Sequence, residues 1–421
     1  MRIPISGLVA LCGCLPLLAW SAQSTDPVNN PLFDQHPDPG LSTFVQGVVD
    51  TNPRVQAARA ALEASRALES AAARPLYNPE LEADYENAVD KTWQVGIGQQ
   101  FDWSGKRKAR ASVAASDRHA VEAEFLATRR DLAVELLSAL TLYQVGVQRE
   151  ALATERDRIM HEFAELAQRR FDAGDLNQVE ADLATLASVD AQIQRATAAA
   201  DLAEAKQAVR SLTLHSSSDQ WPSVDIKLPL IPAVKDAQSL VVGLPEIQAA
   251  QRRVDAADAL VKLRERERRP DPTVSLRGGR EDNSSLIGIN LSIPLYLRNS
   301  FKYEVTAATA ERDRAQQIVD DLLRRAYARF ISASERYRLS RAAWQGWEQT
   351  GQASLQRQGD FLGRLWEAGE LSTTDFLVQL RQTLDTRESA LNLKQTMWRA
   401  WFEWLAASGQ VEEWLGLGYS S

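Results

Sequence analysis

Cysteine, histidine and methionine are all scarce in this chain: its 421 residues include two Cys, four His and three Met. Both cysteines, Cys12 and Cys14, lie in the first apolar stretch, so removing that stretch leaves no disulfide and no thiolate metal site. His36, His119, His161 and His215 stand singly, and Met160 and Met397 are far apart. A zinc or copper centre needs such ligands clustered, so no metal site and no cofactor is expected. Charge of one sign is also lacking. The net charge is −8 with acids and bases interspersed, and without a clustered basic face no nucleic-acid partner is expected. Beyond the N-terminus no run of about 18 apolar residues occurs, which excludes an ordinary membrane-spanning helix. There is no P-loop, dinucleotide glycine motif or nucleophile elbow, and the scattered carboxylates carry no catalytic signal, so the chain is not expected to be an enzyme.

Proline is missing from two long stretches, between Pro79 and Pro222 and after Pro294. Both are rich in Ala, Leu, Glu, Arg and Gln, most of them strong helix formers. A continuous helix from Ser104 to Arg170 would be about 100 Å long at 1.5 Å per residue. That far exceeds the usual globular helix.

What is present is a duplication. FDAGDLNQVE (171–180) returns as WEAGELSTTD (366–375), NPRVQAA (52–58) as LPEIQAA (244–250), and YNPELEADY (77–85) as PDPTVSLRG (270–278). Each half reads as short helix, two strands, very long helix, tight turn and long helix, and such repeats decide architecture before local patterns do. The reading divides the chain into a signal peptide (1–21), an extended Pro-rich leader (22–43), a first repeat (44–212; strands 79–103, tip 171–176), a connector packed along the outside (213–243), a second repeat (244–408; strands 272–296, tip 366–371) and a C-terminal tail (409–421). Arg2, the apolar residues 3–19 and the Ala19-Trp20-Ser21 site make the export signal. Lipid attachment at Cys14 is the alternative.

The strands alternate with period two, the mark of a surface with two different faces. Trp93, Val95, Ile97, Phe101 and Trp103 alternate with Gln94, Gly96, Gly98, Gln100 and Asp102; Ile287, Ile289, Leu291 and Ile293 alternate with Gly288, Asn290 and Ser292. Strands of about 11 residues suit a tilted bilayer crossing. Tryptophans at the strand ends match an aromatic girdle, and the apolar positions are read as lipid-facing. Four strands cannot close a barrel, and an open edge in lipid leaves backbone groups unpaired, so several chains must share one barrel. Eight strands leave an interior filled by side chains, so an open conduit needs three chains or more. The return helices carry narrow seams: Val179, Leu186, Ile193 and Ala200 in the first, and Phe376, Leu380, Leu384, Arg387 and Leu391 in the second. Alanine on a second face permits close approach there, which suits a curved wall of helices. The run KLRERERR (262–269) reads as a solvated helix end at the periplasmic mouth of the barrel, within reach of lipid phosphates.

These segments carry a family likeness. The chain resembles TolC-like outer membrane efflux proteins over roughly residues 44–408. The paired AGD/AGE turns are general to that family; within it the chain is most similar to the outer membrane partners of cobalt–zinc–cadmium pumps, through FDWSGKRKARASVA (101–114) and LSIPLYLRNSFKYEVTAA (291–308). The resemblance implies a mostly α fold with a small membrane β portion. Four strands per chain would form a shared trimeric barrel, and long coiled-coil helices a periplasmic α-barrel. It implies an outer membrane location, a homotrimer, a periplasmic adaptor and an inner-membrane resistance-nodulation-division pump. Tip residues Arg170, Gly174, Asp175, Leu176, Arg364, Gly369, Glu370 and Leu371 would dock the adaptor. Glu180 and Asp375 would stand at the tunnel constriction. The second copy departs from the R-x-x-x-G tip pattern: Leu365 stands in place of Arg, with Arg364 one position early. The expected function is a passive exit duct for heavy-metal cations. The alternatives are the same duct carrying drugs or polypeptides, or a periplasmic adaptor, which would show one hairpin rather than two.

Overall fold

The computed structural model describes residues 37–87, 89, 91–213, 220–224, 231, 237–368 and 370–416. The signal segment, Cys14, most of the leader and Gly369 lie outside the described residues.

Two copies of one unit are laid side by side. The first comprises helix α1 (Pro39–Thr51), helix α2 (Pro53–Ala72), strands β1 (Glu80–Asn87) and β2 (Lys91–Gln100), and helices α3 (Lys106–Asp172) and α4 (Gln178–Leu212). After a short helix α5 (Ala237–Val242) the second follows: α6 (Pro245–Glu267), β3 (Thr273–Glu281), β4 (Ser284–Ser292), α7 (Lys302–Gly346), a π-helical turn (Trp347–Gly351), α8 (Gln352–Glu367) and α9 (Thr373–Ser408). A last helix, α10 (Val411–Leu415), closes the described chain.

The helices begin where their sequences direct. The Asn52 side chain accepts from the Arg54 N–H at the start of α2, with Pro53 in the first turn, where its missing N–H costs nothing. Three expectations need correction. The extended leader ends at Asp38, not residue 43, because Asp38 caps α1 with Pro39 in the first turn. The connector contains a helix at 237–242, and the C-terminal tail contains α10, whose Val411, Trp414 and Leu415 are buried. These segments are too short to show a period; packing makes them helical. At 221–224 the connector lies on α3, where Trp221 meets Tyr143 edge-on at 4.6 Å and the Val224 N–H donates to Gln144, while α5 packs against α7.

All four strands form one antiparallel sheet in the order β1-β2-β3-β4, so the two repeats meet at the β2–β3 pair. The helices all attach at one end of it. Midway along the helical body, α1, α3, α7, α9 and α10 share a core around Leu136, Leu140, Phe330, Tyr337, Trp401 and Trp404. A second core lies near the far end, built from Met160, Phe163, Ala184, Ala187, Trp366 and Phe376.

The junction between sheet and helices rests on a buried ion pair. Lys106 Nζ lies 2.9 Å from Asp271 Oδ2, both side chains almost fully buried, and also donates to the Arg269 carbonyl at 2.7 Å. The Tyr77 hydroxyl donates to the same Asp271 oxygen at 2.7 Å. Burial, with the neighbouring Asp271, pushes the Tyr77 phenol well above its usual range. The Asp102 carboxylate accepts from the N–H groups of Lys106 and Arg107, capping α3. The GKR motif is thereby explained: its lysine ties the first repeat to the second. Replacing Lys106 with Met strands a buried carboxylate and is expected to cost about 3–5 kcal/mol. A lowered midpoint in chemical unfolding of the purified protein checks this, and the double variant K106M/D271L should recover most of the loss.

Candidate functional site

The sheet has one apolar and one polar face. In register, Leu81, Ile97, Leu276 and Ile289 form a row crossing all four strands, and each is more than half exposed. Trp93, Val95, Ile287 and Leu291 stand on the same exposed face. Burying such a surface is worth about 25 cal/mol per Å². On the other face lie Glu80, Glu82, Asp84 and Glu86 of β1, Gly96 and Gly98 of β2, Ser275 and Arg277 of β3, and Asn290 of β4. Arg277 reaches across β2 to Glu82 at 2.7 Å, and the Ser275 hydroxyl donates to Glu82. Only glycine at position 96 allows this: a Cβ there would stand 2.7 Å from Arg277 Cγ.

Three expected strand residues fall outside the ladder. Phe101, Trp103 and Ile293 follow the ends of β2 and β4. Asp102 turns away to cap α3, and Pro294 ends the donors available to β4. Phe101 keeps a last backbone bond, donating to the Pro272 carbonyl at 2.9 Å.

The opposite end of the molecule carries two matching tips. Gly174 has φ +86°, and the Asp175 N–H reaches back to the Arg170 carbonyl at 2.8 Å, the Schellman closure of a helix end. In the second tip the Glu370 N–H bonds the Leu365 carbonyl in the same way. Both return helices then start on equivalent caps. Asn177 accepts from the Glu180 N–H while Glu180 reaches back to the Asn177 N–H; Ser372 accepts from the Asp375 N–H and donates to its carboxylate at 2.7 Å. Glu180 and Asp375 therefore work as capping residues, whatever else they face.

Between the tips sits an aromatic cluster that sequence reasoning missed. Phe163, Trp366 and Phe376 have ring centroids 4.9–5.2 Å apart. The Arg170 guanidinium lies over Trp366 at 4.7 Å, so the first tip's arginine is held by the second. Arg364 instead covers Phe361 of its own helix at 4.8 Å. Leu176 and Leu371 pack against this cluster, whereas Asp175 and Glu370 are exposed. A hint was present in the repeat: Trp366 replaces Phe171 at the head of the duplicated decapeptide. Higher up, buried Arg156 of α3 pairs with Asp385 of α9 and Gln194 of α4, beside a cleft of about 420 Å³.

Seams and alanines divide the helix contacts. Ala181, Ala184, Ala187 and Ala191 are buried on the α3 side of α4, where small side chains allow close approach. Val179, Leu186 and Ile193 are exposed. In α9 the seam Phe376, Leu380 and Leu384 is buried within the chain, while Thr374, Arg381 and Glu388, which align with the α4 stripe, are exposed. Among the described residues no group of three or more His, Cys, Asp or Glu is placed to hold a metal ion, and no helix is long and apolar enough to cross a membrane.

Comparison with known proteins agrees with this geometry. Residues 238–410 match the family model "Outer membrane efflux protein". The chain is 27% identical over 327 residues to the cobalt-zinc-cadmium resistance protein CzcC of Cupriavidus metallidurans, covering 75% of this chain and 77% of that one. The second repeat thus matches the outer membrane efflux protein family, and three quarters of the chain resembles a cobalt-zinc-cadmium resistance protein. Its fold is that of solved family channels. OprN matches with TM-score 0.75 at 17% identity, covering 88% of this chain and 90% of that one. CusC matches at 0.70 and 16%, covering 89% and 92%. VceC of Vibrio cholerae matches at 0.73 and 18%, covering 88% and 96%. The family match and the resemblance to CzcC both support a role in efflux transport at the outer membrane rather than an enzymatic one.

Replacing Trp366 with Ala should remove the ring that both tips share, at about 3–5 kcal/mol. Hydrogen exchange is expected to quicken in residues 160–172 and 361–380 and to stay unchanged around Leu136 and Trp401.

Proposed function

We propose that three copies of this chain assemble into one exit duct for heavy-metal cations, fed by an inner-membrane pump of the resistance-nodulation-division type through a periplasmic adaptor. The observation that carries the reading is the sheet: its apolar face is exposed along all four strands, and β1 and β4 each pair on one side only. Joining β4 of one copy to β1 of the next satisfies both edges and turns the apolar face to lipid. Three copies give twelve strands around open water, where eight would leave a filled interior. The exposed Val179, Leu186 and Ile193 stripe on α4 supplies a matching contact between neighbouring helical walls.

The cargo rests on two supports. The relative from Cupriavidus metallidurans is named for cobalt, zinc and cadmium resistance. Of the interior column, Glu80 and Glu86 would line the duct with carboxylates that attract cations without gripping them, while Arg277 engages Glu82 and Asp84. At the periplasmic end Arg170, Gly174, Asp175, Leu176, Arg364, Gly369, Glu370 and Leu371 would meet the adaptor. Glu180 and Asp375, repeated around a threefold axis, would narrow the tunnel.

The mass of the purified protein in detergent tests the assembly: three copies and conducting pores in planar bilayers are expected, and a monomer without pores would overturn the proposal. Ile289→Arg places a charge on the lipid face and should cost about 2–4 kcal/mol of barrel stability, read as loss of heat-resistant oligomer on a gel. For the constriction, the charge-removing pair E180Q/D375N keeps oxygen acceptors for the caps. It should lower single-channel cation conductance, because neutral amides of the same size attract cations less; unchanged conductance removes these residues from the constriction. A deletion strain with unaltered zinc, cadmium and cobalt tolerance but altered antibiotic tolerance would reassign the cargo.

A further inference from the structure

The apolar face of the sheet stops at a collar of unpaired cations. Every connection between sheet and helices leaves from the same end. There the segments 101–108, 266–272 and 295–304 are tied together: the Phe101 N–H donates to the Pro272 carbonyl, Lys106 Nζ to the Arg269 carbonyl, and Arg268 Nε to the Ser300 carbonyl at 3.2 Å. On this collar Arg107, Lys108, Arg268, Arg269, Arg298 and Lys302 are exposed, and none has an ion-pair partner among the described residues. Of the four acids in the same segments, Glu304 stays on the collar, accepting from the Asn299 side chain, and the other three are engaged elsewhere. Asp102 caps α3, Asp271 is buried with Lys106 and Tyr77, and Glu267 pairs with Arg264. Along the helices, by contrast, surface arginines such as Arg118, Arg158 and Arg253 each meet carboxylates. Trp103, Tyr303, Leu295 and Leu297, all strongly exposed, lie among the free cations.

We propose that this collar binds the phosphates of anionic phospholipids in the leaflet on the helical side of the membrane. The proposal rests on the membrane reading of the sheet. Two observations choose the occupant. The collar continues directly from the apolar face, so its cations fall at headgroup depth where that face ends. Its charge is opposite to that of the phosphates, and exposed aromatic rings among the cations suit the same boundary layer. Guanidinium groups hold phosphate oxygens in pairs, and lysine stems lie along acyl chains while their heads reach the surface. The opposite rim of the sheet, at the β1–β2 and β3–β4 turns, has no such group of free cations among its described residues beyond Lys91 and Arg280.

The test uses the full-length protein reconstituted into nanodiscs of phosphatidylcholine alone or with phosphatidylglycerol, with bound lipid counted by native mass spectrometry. The wild type should retain phosphatidylglycerol about tenfold over phosphatidylcholine, and the preference should shrink as salt rises from about 50 to about 500 mM. The variant R107Q/K108Q/R298Q/K302Q should lose the preference, and the charge-keeping variant R107K/K108R/R298K/K302R should keep it. Pores in phosphatidylcholine bilayers should persist in all three. A wild type with pores but no lipid preference overturns the inference while leaving the duct intact, as does a glutamine variant that keeps the preference. Displacement by lipid A at equal phosphate would move the site to the other leaflet and also overturn it. A wild type without pores in either lipid would sink the membrane reading and this inference together.

Discussion

A strand edge cannot end in hydrocarbon. Each unpaired N–H or C=O there costs several kcal/mol, because no water is present to take the bond. This chain ends its sheet twice in that way, at β1 and at β4, and clothes one face in aliphatic side chains. In the proposed membrane setting this sheet is a fragment that becomes stable only in company. Most of the remaining architecture serves this condition. In the proposed assembly the long helices would give neighbouring chains a second surface on which to recognise one another, well away from the bilayer.

The wall is held at three heights by three kinds of interaction. At the sheet, a buried Lys106–Asp271 pair joins one repeat to the other, and the hydroxyl of Tyr77 completes it. Midway, tryptophans from α9 and α10 fill a conventional apolar core. At the tips, where helices are furthest from that core, Arg170 rests on Trp366 beside two phenylalanines. Ionic and aromatic contacts thus occupy the ends, where little apolar surface is available for burial.

Much of this was legible beforehand, for physical reasons that can be named. Period-two alternation at 93–100 and 287–291 exposed the two-faced sheet because a strand's side chains must alternate. Missing proline announced α3 because a helix that long tolerates none inside. The tip decapeptides showed their turns because a left-handed cap asks for glycine. Other features left no local trace. Helices α5 and α10 are too short to carry a period. The Arg170–Trp366 contact joins residues from different repeats, which no spacing reveals. The π-helical turn at Trp347–Gly351 interrupts what reads as one continuous helical stretch. Glu180 and Asp375 were recognised as acids near helix starts, and their caps are visible; whether they also face one another across a tunnel depends on other copies of the chain. The seams were visible too, but not which of them a single chain fills for itself.

That last distinction has a consequence. Val179, Leu186 and Ile193 look outward from α4, while Phe376, Leu380 and Leu384 look inward from α9. In the repeat alignment the α4 stripe falls on Thr374, Arg381 and Glu388 of α9, which are also exposed, so the outward face is apolar in one copy and polar in the other. A polypeptide made only of the first half would display its stripe with nothing to fold over the tip cluster; one made only of the second would lack the stripe altogether. The two halves are therefore not interchangeable, and the whole chain, not the repeat, is the smallest unit that carries both the stripe and the closed tip cluster.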